Sequence, residues 1–431
     1  MPDFRPLVLG KVCTKIASGA TPRGGKEAYG EGRTALIRSQ NVYNDRFVRE
    51  GLAFVDDAQA HDLRNVTIED GDVLLNITGD SLARCCQVDR SVLPARVNQH
   101  VAVIRPQPDL LDARFLRYAL IAPAMQARLR SLGSAGATRN ALTKAMIEAL
   151  VVEAPPAPQQ RAIAHVLGTL DDRIQLNRSM NDTLEAMAVA LFHSWFVQFD
   201  PVCAKLEGRA PCGMDEDTAS LFPSGFWESS LARIPKGWEV KTLKETSRLV
   251  MGQSPPGETY NQKGQGLPFF QGCSDFGFRF PSRRVSCTSP TRVAEAGDTL
   301  MSVRAPVGSL NMASERSAVG RGIAVLRHAS GSRSFSYYLC KSIQKKLESF
   351  NAEGTVFGSI NKSNLENVLH VEPTGLLVRA FDMYVGPMDD RIECAANEMA
   401  HLTRVRDDLL PRLLSGEVSV AQAEKEMGGV A

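Results

Sequence analysis

The 431 residues are enough for two to four globular domains, and a composition of 43% apolar and 23% charged residues is ordinary for soluble ones. The start, Met1–Arg5, lacks the apolar segment of a signal peptide, and no apolar run approaches the length of a membrane span. Because the nine cysteines also form no Cys-x-x-Cys pair, we expect a cytoplasmic protein with reduced thiols, neither secreted nor membrane-spanning.

The net charge of +2 is unevenly distributed along the chain. Residues 1–155 carry 20 Lys/Arg and 17 Asp/Glu, and residues 236–375 carry 18 and 11. The blocks 156–235 and 376–431 each carry 6 Lys/Arg and 10 Asp/Glu. Because polyanions bind to local positive charge rather than to a basic average, the first two blocks are the candidates for contact with nucleic acid. The acidic blocks are expected to face other partners, unless they are simply acidic helical surfaces.

Residues 1–155, which we call head 1, alternate short strand-like runs with glycine turns. A hydroxyl residue precedes proline in the turn Gly19–Pro22, and the Gly71-Asp72 turn leads into an apolar run. Val101–Arg105 is predicted to be a strand and 114–132 to be helical. A Gly-rich loop at 133–140 then leads to Lys144 and a short strand.

Residues 159–199 predict one long helix with a coiled-coil seam. Seam residues recur at alternating steps of four and three, which is the 3.5-residue repeat of such a seam, over a rod of roughly 60 Å. The seam consists of Ile163, Leu167, Leu170, Ile174, Asn177, Asn181, Leu184, Ala188, Leu191 and Trp195. The two asparagines are expected to fix register and partner at some cost in stability.

The connection between the two halves, 200–238, is rich in proline and has an acidic patch at Asp215–Asp217. Its helical periodicity is low, and we expect it to be packed by Phe222, Phe226 and Trp227.

The second half repeats the first. Head 2, residues 237–374, has its own hydroxyl–proline turn at Ser254-Pro255, a Gly297-Asp298 turn and a strand-like run, Ile323–Arg327. The offset between matching positions falls from 226 at the Gly-Asp turn to 222 at the strand and 218 at the long helix. The insertions and deletions are therefore confined to the heads.

A second long helix repeats the seam at an offset of 218 residues. Pro387 is expected to kink or break this helix near its start, because proline removes a hydrogen bond and clashes with the preceding turn. The repeated seam is Phe381, Val385, Met388, Ile392, Ala395, Met399, Leu402, Arg406, Leu409 and Leu413.

Two long helices with one apolar stripe each bury that stripe most simply against each other. We therefore predict an α+β fold, with two heads of mixed α/β structure linked by two long antiparallel coiled-coil helices in an internal pseudo-two-fold repeat. An ordinary helical hairpin with no role beyond packing is the alternative. The carboxylate pairs Asp171-Asp172 and Asp389-Asp390 are expected to form a solvated face of these helices.

Several stretches together resemble the specificity subunit of type I restriction–modification systems, over nearly the whole chain. The second half departs from the pattern at 372–375, where Glu-Pro-Thr-Gly replaces the earlier Pro-Pro…Gln-Gln lead-in to the helix. The stretches that carry the resemblance are Pro155-Pro156 with Gln159-Gln160, Leu184–Ala188, Leu191–Val202, Ile234–Trp238 and Asp407–Glu417.

The resemblance implies a non-catalytic reader of double-stranded DNA. Each head would read one half of a bipartite, asymmetric site, and the paired helices would set the spacer and dock two modification (methyltransferase) subunits. It implies no cofactor on this chain, with S-adenosylmethionine on the modification subunit and ATP and Mg²⁺ on the restriction (translocase/nuclease) subunits. The implied domains are target-recognition domain 1 (1–155), helix 1 as central spacer (156–200), a linker (201–236), target-recognition domain 2 (237–374), helix 2 as distal spacer (375–417) and a C-terminal tail (418–431).

The sequence offers no catalytic or metal-binding constellation to set against this interpretation. The seven histidines are scattered, with no His-Glu-x-x-His motif, no Cys/His cluster and no glycine-rich fingerprint after a strand. Two alternatives stay open. A helical scaffold with heads that do not bind DNA predicts no salt-sensitive DNA binding by the assembled complex, and a fused, self-contained DNA methyltransferase predicts S-adenosylmethionine binding by the isolated chain.

Candidate DNA contacts are the polar residues of the predicted loops. Lys/Arg and small polar residues suit phosphates, whereas Arg, Asn and Gln suit base edges, and we favour Asn98-Gln99-His100 as a base-reading cluster. In head 1 the candidates are Thr21, Arg23, Arg38, Gln40, Asn41, Asn76, Arg84, Asn98, Gln99, His100, Arg139 and Asn140. In head 2 they are Ser254, Tyr260, Gln271, Arg283, Arg284, Arg304, Arg321, Asn361 and Lys362.

Overall fold

The chain forms two compact units in the computed structural model, which describes residues 4–24, 29–30, 32–44, 46–134, 140–229, 233–352 and 358–428. Unit 1 comprises Met1–Leu176 and Glu398–Ala431, and unit 2 comprises Asn177–Asn397. Each unit contains one head and a part of each long helix.

Head 1 is built on an antiparallel sheet with the strand order β2-β8-β5-β6. A second sheet, β4-β3-β7, holds β3 and β7 parallel, and β1 pairs with β9 so that the two ends of the head lie together. The strands are β1 (Arg5–Val8), β2 (Cys13–Ser18), β3 (Thr34–Ile37), β4 (Ala53–Val55), β5 (Val73–Asn76), β6 (Cys85–Gln87), β7 (Ala95–Val97), β8 (Val101–Pro106) and β9 (Val151–Ala154). The helices are α1 (Leu9–Val12), α2 (Asp57–Asp62), α3 (Ala113–Ile121), α4 (Pro123–Ser134) and α5 (Lys144–Glu148).

The segment between the heads contains more helix than its sequence predicts. Phe222 is buried and its ring lies 5.2 Å from that of Trp195, as expected, but Trp227 is 48% exposed and does not serve as core. The prolines and acidic residues are compatible with helix here because they stand at helix starts, where both are favoured. The elements are α6 (Ala157–Phe196), α7 (Asp200–Leu206), α8 (Glu216–Leu221), β10 (Phe226–Glu228) and β11 (Arg233–Pro235).

Head 2 has the same central sheet, in the order β13-β21-β18-β19. A second sheet, β14-β16-β15-β20-β17, holds β15 and β20 parallel, and β12 pairs with β22 across the ends of the head. The strands are β12 (Glu239–Thr242), β13 (Ser247–Met251), β14 (Tyr260–Asn261), β15 (Leu267–Phe270), β16 (Ser286–Cys287), β17 (Val293–Ala294), β18 (Thr299–Ser302), β19 (Leu310–Met312), β20 (Ser317–Val319), β21 (Ile323–His328) and β22 (Leu369–Glu372). The helices are α9 (Leu243–Thr246), α10 (Arg333–Leu347), α11 (Ser349–Ala352) and α12 (Lys362–Glu366).

The Gly-Asp turns take the same form in both heads. Gly71 and Gly297 have φ of 85° and 84°, which glycine adopts without a steric penalty. The next residue closes each turn, because Asp72 Oδ2 accepts from the Glu69 N–H (2.7 Å) and Asp298 Oδ2 from the Glu295 N–H (2.8 Å). Each turn leads into a fully buried strand, as predicted.

The second long helix, α13 (Gly375–Ser415), is followed by α14 (Val420–Gly428). The helix continues through Pro387, so the predicted break does not occur. Val385 and Ile392, on either side of the proline, are fully buried, and this packing offsets the one backbone hydrogen bond that proline cannot donate.

The predicted seam residues lie on the buried side of both long helices. In unit 1, Ile163, Leu167 and Leu170 belong to the same core as Leu402, Leu409 and Leu413. In unit 2, Asn177 and Asn181 are buried, and Asn181 Nδ2 donates to the Ile392 carbonyl oxygen at 3.5 Å. The half-buried seam positions are Leu184, Leu191, Met388, Met399 and Arg406.

The predicted solvated face of the helices is wrong for Asp171 and Asp389, although Asp172 and Asp390 are exposed. In unit 1, Asp171 accepts hydrogen bonds from Arg117 Nη1 (2.6 Å), Tyr118 Oη (2.7 Å) and Arg406 Nη1 (2.9 Å). Burial alone would raise the pKa of Asp171, but Arg117 and Arg406 hold it below its ordinary value. We call Asp171, Arg117, Tyr118 and Arg406 the unit 1 clamp, since it joins α3 of the head to both long helices.

Unit 2 has a clamp at the equivalent position. Asp389 Oδ1 lies 3.2 Å from Arg279 Nη1 and accepts from Tyr338 Oη at 3.0 Å. The guanidinium of Arg279 is 1% exposed and stacks 3.9 Å from the centre of the Tyr337 ring. Here burial raises the pKa of Asp389 above its ordinary value despite the arginine.

A second buried polar group in unit 2 lies just before α13. Glu372 accepts from His328 Nε2 (3.2 Å) and His370 Nε2 (3.1 Å), and both histidines are buried. Burial opposes ionisation, but these two hydrogen bonds lower the pKa of Glu372 to about 2. Lys241 of β12, directly opposite His370, is the nearest cation on the paired strand.

We expect this carboxylate to make unit 2 sensitive to acid. A carboxyl with an ordinary pKa of 4.5 in the unfolded chain and about 2 in the fold stabilises fully above pH 4.5, and its contribution is lost as pH falls toward 2. The loss is about 3 kcal/mol in the free energy of unfolding. Urea unfolding at pH 6, 4 and 3 should show it in the wild type and not in Glu372→Gln. Glu239→Gln, which changes the exposed carboxylate directly across the strand pair, should keep the wild-type slope.

Candidate nucleic-acid interface

The hydroxyl–proline turns occupy equivalent places in the two heads. The Ala20 N–H donates to the Val97 carbonyl oxygen at 3.0 Å, and the Gln253 N–H donates to that of Val319 at the same distance. The preceding glycine is required in each case, since a Cβ on Gly19 would lie 2.1 Å from a backbone oxygen and one on Gly252 would lie 2.2 Å from another. Thr21 and Ser254, the next residues, are therefore structurally equivalent.

A second match lies where the central strand ends. The Ile77 N–H donates to the His100 carbonyl oxygen at 3.0 Å, and the Val303 N–H donates to that of Gly322 at 2.9 Å. The Gly-rich loops return to the same strand, with Leu142 donating to Ile77 (2.9 Å) and Ile360 to Val303 (3.1 Å). The equivalent pairs that follow are Thr78 with Arg304, Gln99 with Arg321, and Thr143 with Asn361.

A third match concerns the loop after the parallel strand. Asn98 donates its N–H to the Ile37 carbonyl oxygen (3.0 Å), and Gly320 donates to that of Phe270 (2.8 Å). Arg38 and Gln271, which follow, are therefore equivalent as well. Their N–H groups donate to the side chains of Asn41 (2.9 Å) and Asp275 (2.7 Å), respectively, and both acceptors are buried.

These bonds bring distant stretches of each head together on one face. We call these faces surface 1 and surface 2. Surface 1 comprises 19–23, 38–40, 77–81, 98–100 and 140–144, and surface 2 comprises 252–256, 271–272, 303–306, 320–322 and 358–362. Residues 135–139, with the predicted contact Arg139, and residues 353–357 lie outside the described part of the chain.

The predicted contacts of head 1 divide by burial. Asn41, Asn76 and Asn98 are buried, and their amides serve the loops: Asn76 Nδ2 donates to the Ser39 carbonyl oxygen (2.9 Å), and Asn98 Oδ1 accepts from the His100 N–H (3.1 Å). They support surface 1 from beneath. The exposed candidates are Thr21, Arg23, Gln40, Gln99 and Asn140, and the half-buried ones are Arg38, Arg84 and His100.

The predicted contacts of head 2 divide by their partners. Arg283 pairs with Glu315, Arg284 with Asp275 and Lys362 with Glu366. Tyr260 is a packing residue, since its ring lies 4.7 Å from that of Phe269 and its hydroxyl donates to Pro255. The remaining candidates, all exposed except the half-buried Ser254, are Ser254, Gln271, Arg304, Arg321 and Asn361.

Arg304 and Arg321 line one groove of about 380 Å³ on surface 2. Asn361 also lines it, and its side chain caps α12 by accepting from the Asn364 N–H at 2.8 Å. Ser254 Oγ accepts from the Arg321 N–H (3.3 Å) and Nε (3.4 Å), so it orients this arginine. The groove thus collects predicted contacts from four separate loops.

Thr78 is a surface residue that the sequence-based selection missed. Its Oγ1 lies 2.7 Å from His100 Nδ1, and Gln99 Nε2 lies 3.4 Å from the other ring nitrogen. The offset of 226 residues that matches the Gly-Asp turns also matches Thr78 with Arg304, so the repeat contained the signal.

The described residues contain no group of three or more His, Cys, Asp or Glu side chains arranged to hold a metal ion. None of the helices in this part of the chain is long and apolar enough to cross a membrane.

Comparison with known families gives a match to the type I restriction modification DNA specificity domain at residues 3–186 and again at 235–369. These two segments make up most of the chain and contain surfaces 1 and 2. The chain belongs to this specificity family. The two matches also correspond to the internal repeat, so the predicted family and the predicted α+β repeat are both confirmed.

Individual relatives cover the whole chain of this family member. The HindI type I restriction enzyme specificity subunit of Haemophilus influenzae is 25% identical over 467 residues, 97% of this chain and 100% of its own. The MjaIX specificity subunit of Methanocaldococcus jannaschii is 22% identical over 426 residues, 95% of this chain and 92% of its own. The crystal structure of the type I restriction–modification S subunit from M. genitalium shares the fold, with a TM-score of 0.59 at 15% identity over 96% of both chains.

Proposed function

We propose that this chain is the DNA sequence-specificity subunit of a type I restriction–modification complex, in which each head reads one half of a bipartite, asymmetric site. The observation that carries the proposal is the pair of surfaces built on one backbone hydrogen-bond pattern but bearing different polar side chains. Duplicated loops with unlike side chains suit the reading of two unlike half-sites, since base edges are distinguished by the pattern of donors and acceptors that faces them.

The long helices have a different role in this proposal. They set the spacer between the half-sites and dock two modification subunits, and restriction subunits complete the complex. The chain itself is non-catalytic: S-adenosylmethionine belongs to the modification subunits, and ATP and Mg²⁺ belong to the restriction subunits. The acidic blocks that contain these helices support protein rather than DNA contact.

Genome-wide adenine methylation, mapped by long-read sequencing with and without this gene, tests the proposal. We expect deletion to abolish methylation at one split motif and to leave other motifs intact. Restoring the gene from a plasmid should restore the same motif. A methylome that stays unchanged while the modification subunits are expressed would contradict a specificity role.

A further inference from the structure

The two surfaces differ most at two equivalent positions. Surface 2 has Arg304 and Arg321 where surface 1 has Thr78 and Gln99. We infer that Arg304 and Arg321 read guanine in the half-site of head 2, and that head 1 reads its half-site through neutral side chains at these positions. This inference rests on the proposed function and adds the class of base that one head selects.

The two arginines are set apart by their surroundings. The other predicted cations of head 2 are paired with carboxylates, which reduces their capacity for a DNA contact. Arg304 and Arg321 are exposed, and neither forms an ion pair within the described part of unit 2. Both side chains line the same groove, so they can approach neighbouring bases.

Ser254 prepares Arg321 for a two-bond contact. Its hydroxyl accepts from the backbone N–H and from Nε of Arg321, and the two terminal nitrogens are left for an outside acceptor. A guanidinium with its end turned outward matches O6 and N7 of guanine, the most common specific contact in the major groove. A lysine at this position would keep the charge but could not form the paired bonds.

Surface 1 offers different chemistry at the same place. Thr78, His100 and Gln99 lie in hydrogen-bond contact in that order, which places a hydroxyl and an amide where surface 2 has two guanidinium groups. An amide suits adenine, which presents one donor and one acceptor. The heads are thus predicted to differ in base preference because of two positions and not because of their backbones.

Methylation mapping of the full chain, produced together with its modification subunits in cells that lack the system, tests this inference. Arg321→Lys and Arg304→Lys keep the charge of a phosphate contact and remove the paired bonds. We expect each to relax one half-site at a guanine, with a loss of discrimination of about 5- to 150-fold, while the other half-site and the spacer stay unchanged. The exchange R304T/R321Q should remove both guanine preferences. Arg283→Lys, at the exposed ion pair with Glu315, is the matched control and should leave the motif intact.

Three results would overturn the inference. If the lysine variants keep wild-type discrimination, the arginines contact phosphate. If the half-site that changes contains no guanine, the base assignment is wrong, although in both cases a split wild-type motif would still support the proposed function. If the wild-type complex methylates no split motif, the proposed function fails and the inference fails with it.

Discussion

Asp171→Ala should lower the free energy of unfolding of unit 1 by about 3–5 kcal/mol, because it removes one partner of a buried ion pair. The Asp171 side chain is 12% exposed, and Arg117 and Arg406, which donate to it, are 9% and 11% exposed. Arg117 would then keep the Asn44 carbonyl oxygen, at 3.1 Å, but no carboxylate among the described residues. Urea unfolding of the full chain, followed by circular dichroism, measures the loss.

The adjacent residue supplies the control. Asp172 also pairs with an arginine of α3, Arg114, at 3.0 Å, but its side chain is 67% exposed. Since water screens an exposed pair, Asp172→Ala should cost no more than about 1 kcal/mol. Equal losses in the two variants would mean that the unit 1 clamp does not hold the head on the helices.

The same construction in unit 2 indicates what the clamps do. Asp389 lies on α13, Tyr338 on α10 of the head, and Arg279 reaches within 3.7 Å of Glu185 on α6. A buried ion pair gives little net stability, but its geometry is demanding, because any other orientation leaves a charge without a partner. In the proposed function, a fixed orientation of each head on its helices is what makes a fixed spacer possible.

The repeat and the clamps show what the sequence could and could not predict. Offsets of 226, 222 and 218 residues were legible from matched turns and strands, and the backbone bonds of Ile77 and Val303, or Leu142 and Ile360, follow the same offsets. The burial of Asp171 was not legible, because a carboxylate pair on a helix has the same pattern whether its arginine partners are near or absent. Those partners are as many as 235 residues away in the chain.

The buried amides of head 1 illustrate a second limit. Asn41 and Asn76 were selected as DNA contacts because polar residues in loops are expected to face outward. Instead, Asn41 Nδ2 donates to the Val48 carbonyl oxygen (2.8 Å) and Asn76 Nδ2 to that of Ser39, so the amides replace backbone partners that these loops lack. Loop sequence alone does not distinguish an amide that holds a loop from one that reads a base.

Lengthening both long helices by one heptad should change the spacer of the recognised site and leave both half-sites unaltered. The insertions are a second copy of 177–183 after Thr183 in α6 and a second copy of 391–397 after Asn397 in α13. These stretches lie opposite each other, since Asn181 donates to the Ile392 carbonyl oxygen. Seven residues preserve the seam and add about 10 Å, which corresponds to about three base pairs of DNA. Long-read methylation mapping should therefore reveal the same half-sites about three base pairs farther apart.

A four-residue insertion at the same two places is the matched control. It turns the downstream seam away from its partner, because four residues do not complete the 3.5-residue repeat twice, and we expect it to abolish methylation or destabilise the helix pair. A heptad variant that keeps the original spacer but recognises different bases would assign base reading to the helices and spacing to the heads, the reverse of the proposed division. Retention of the original motif in full by the heptad variant would show that the helices do not set the spacer, because the half-sites would then be positioned without reference to helix length.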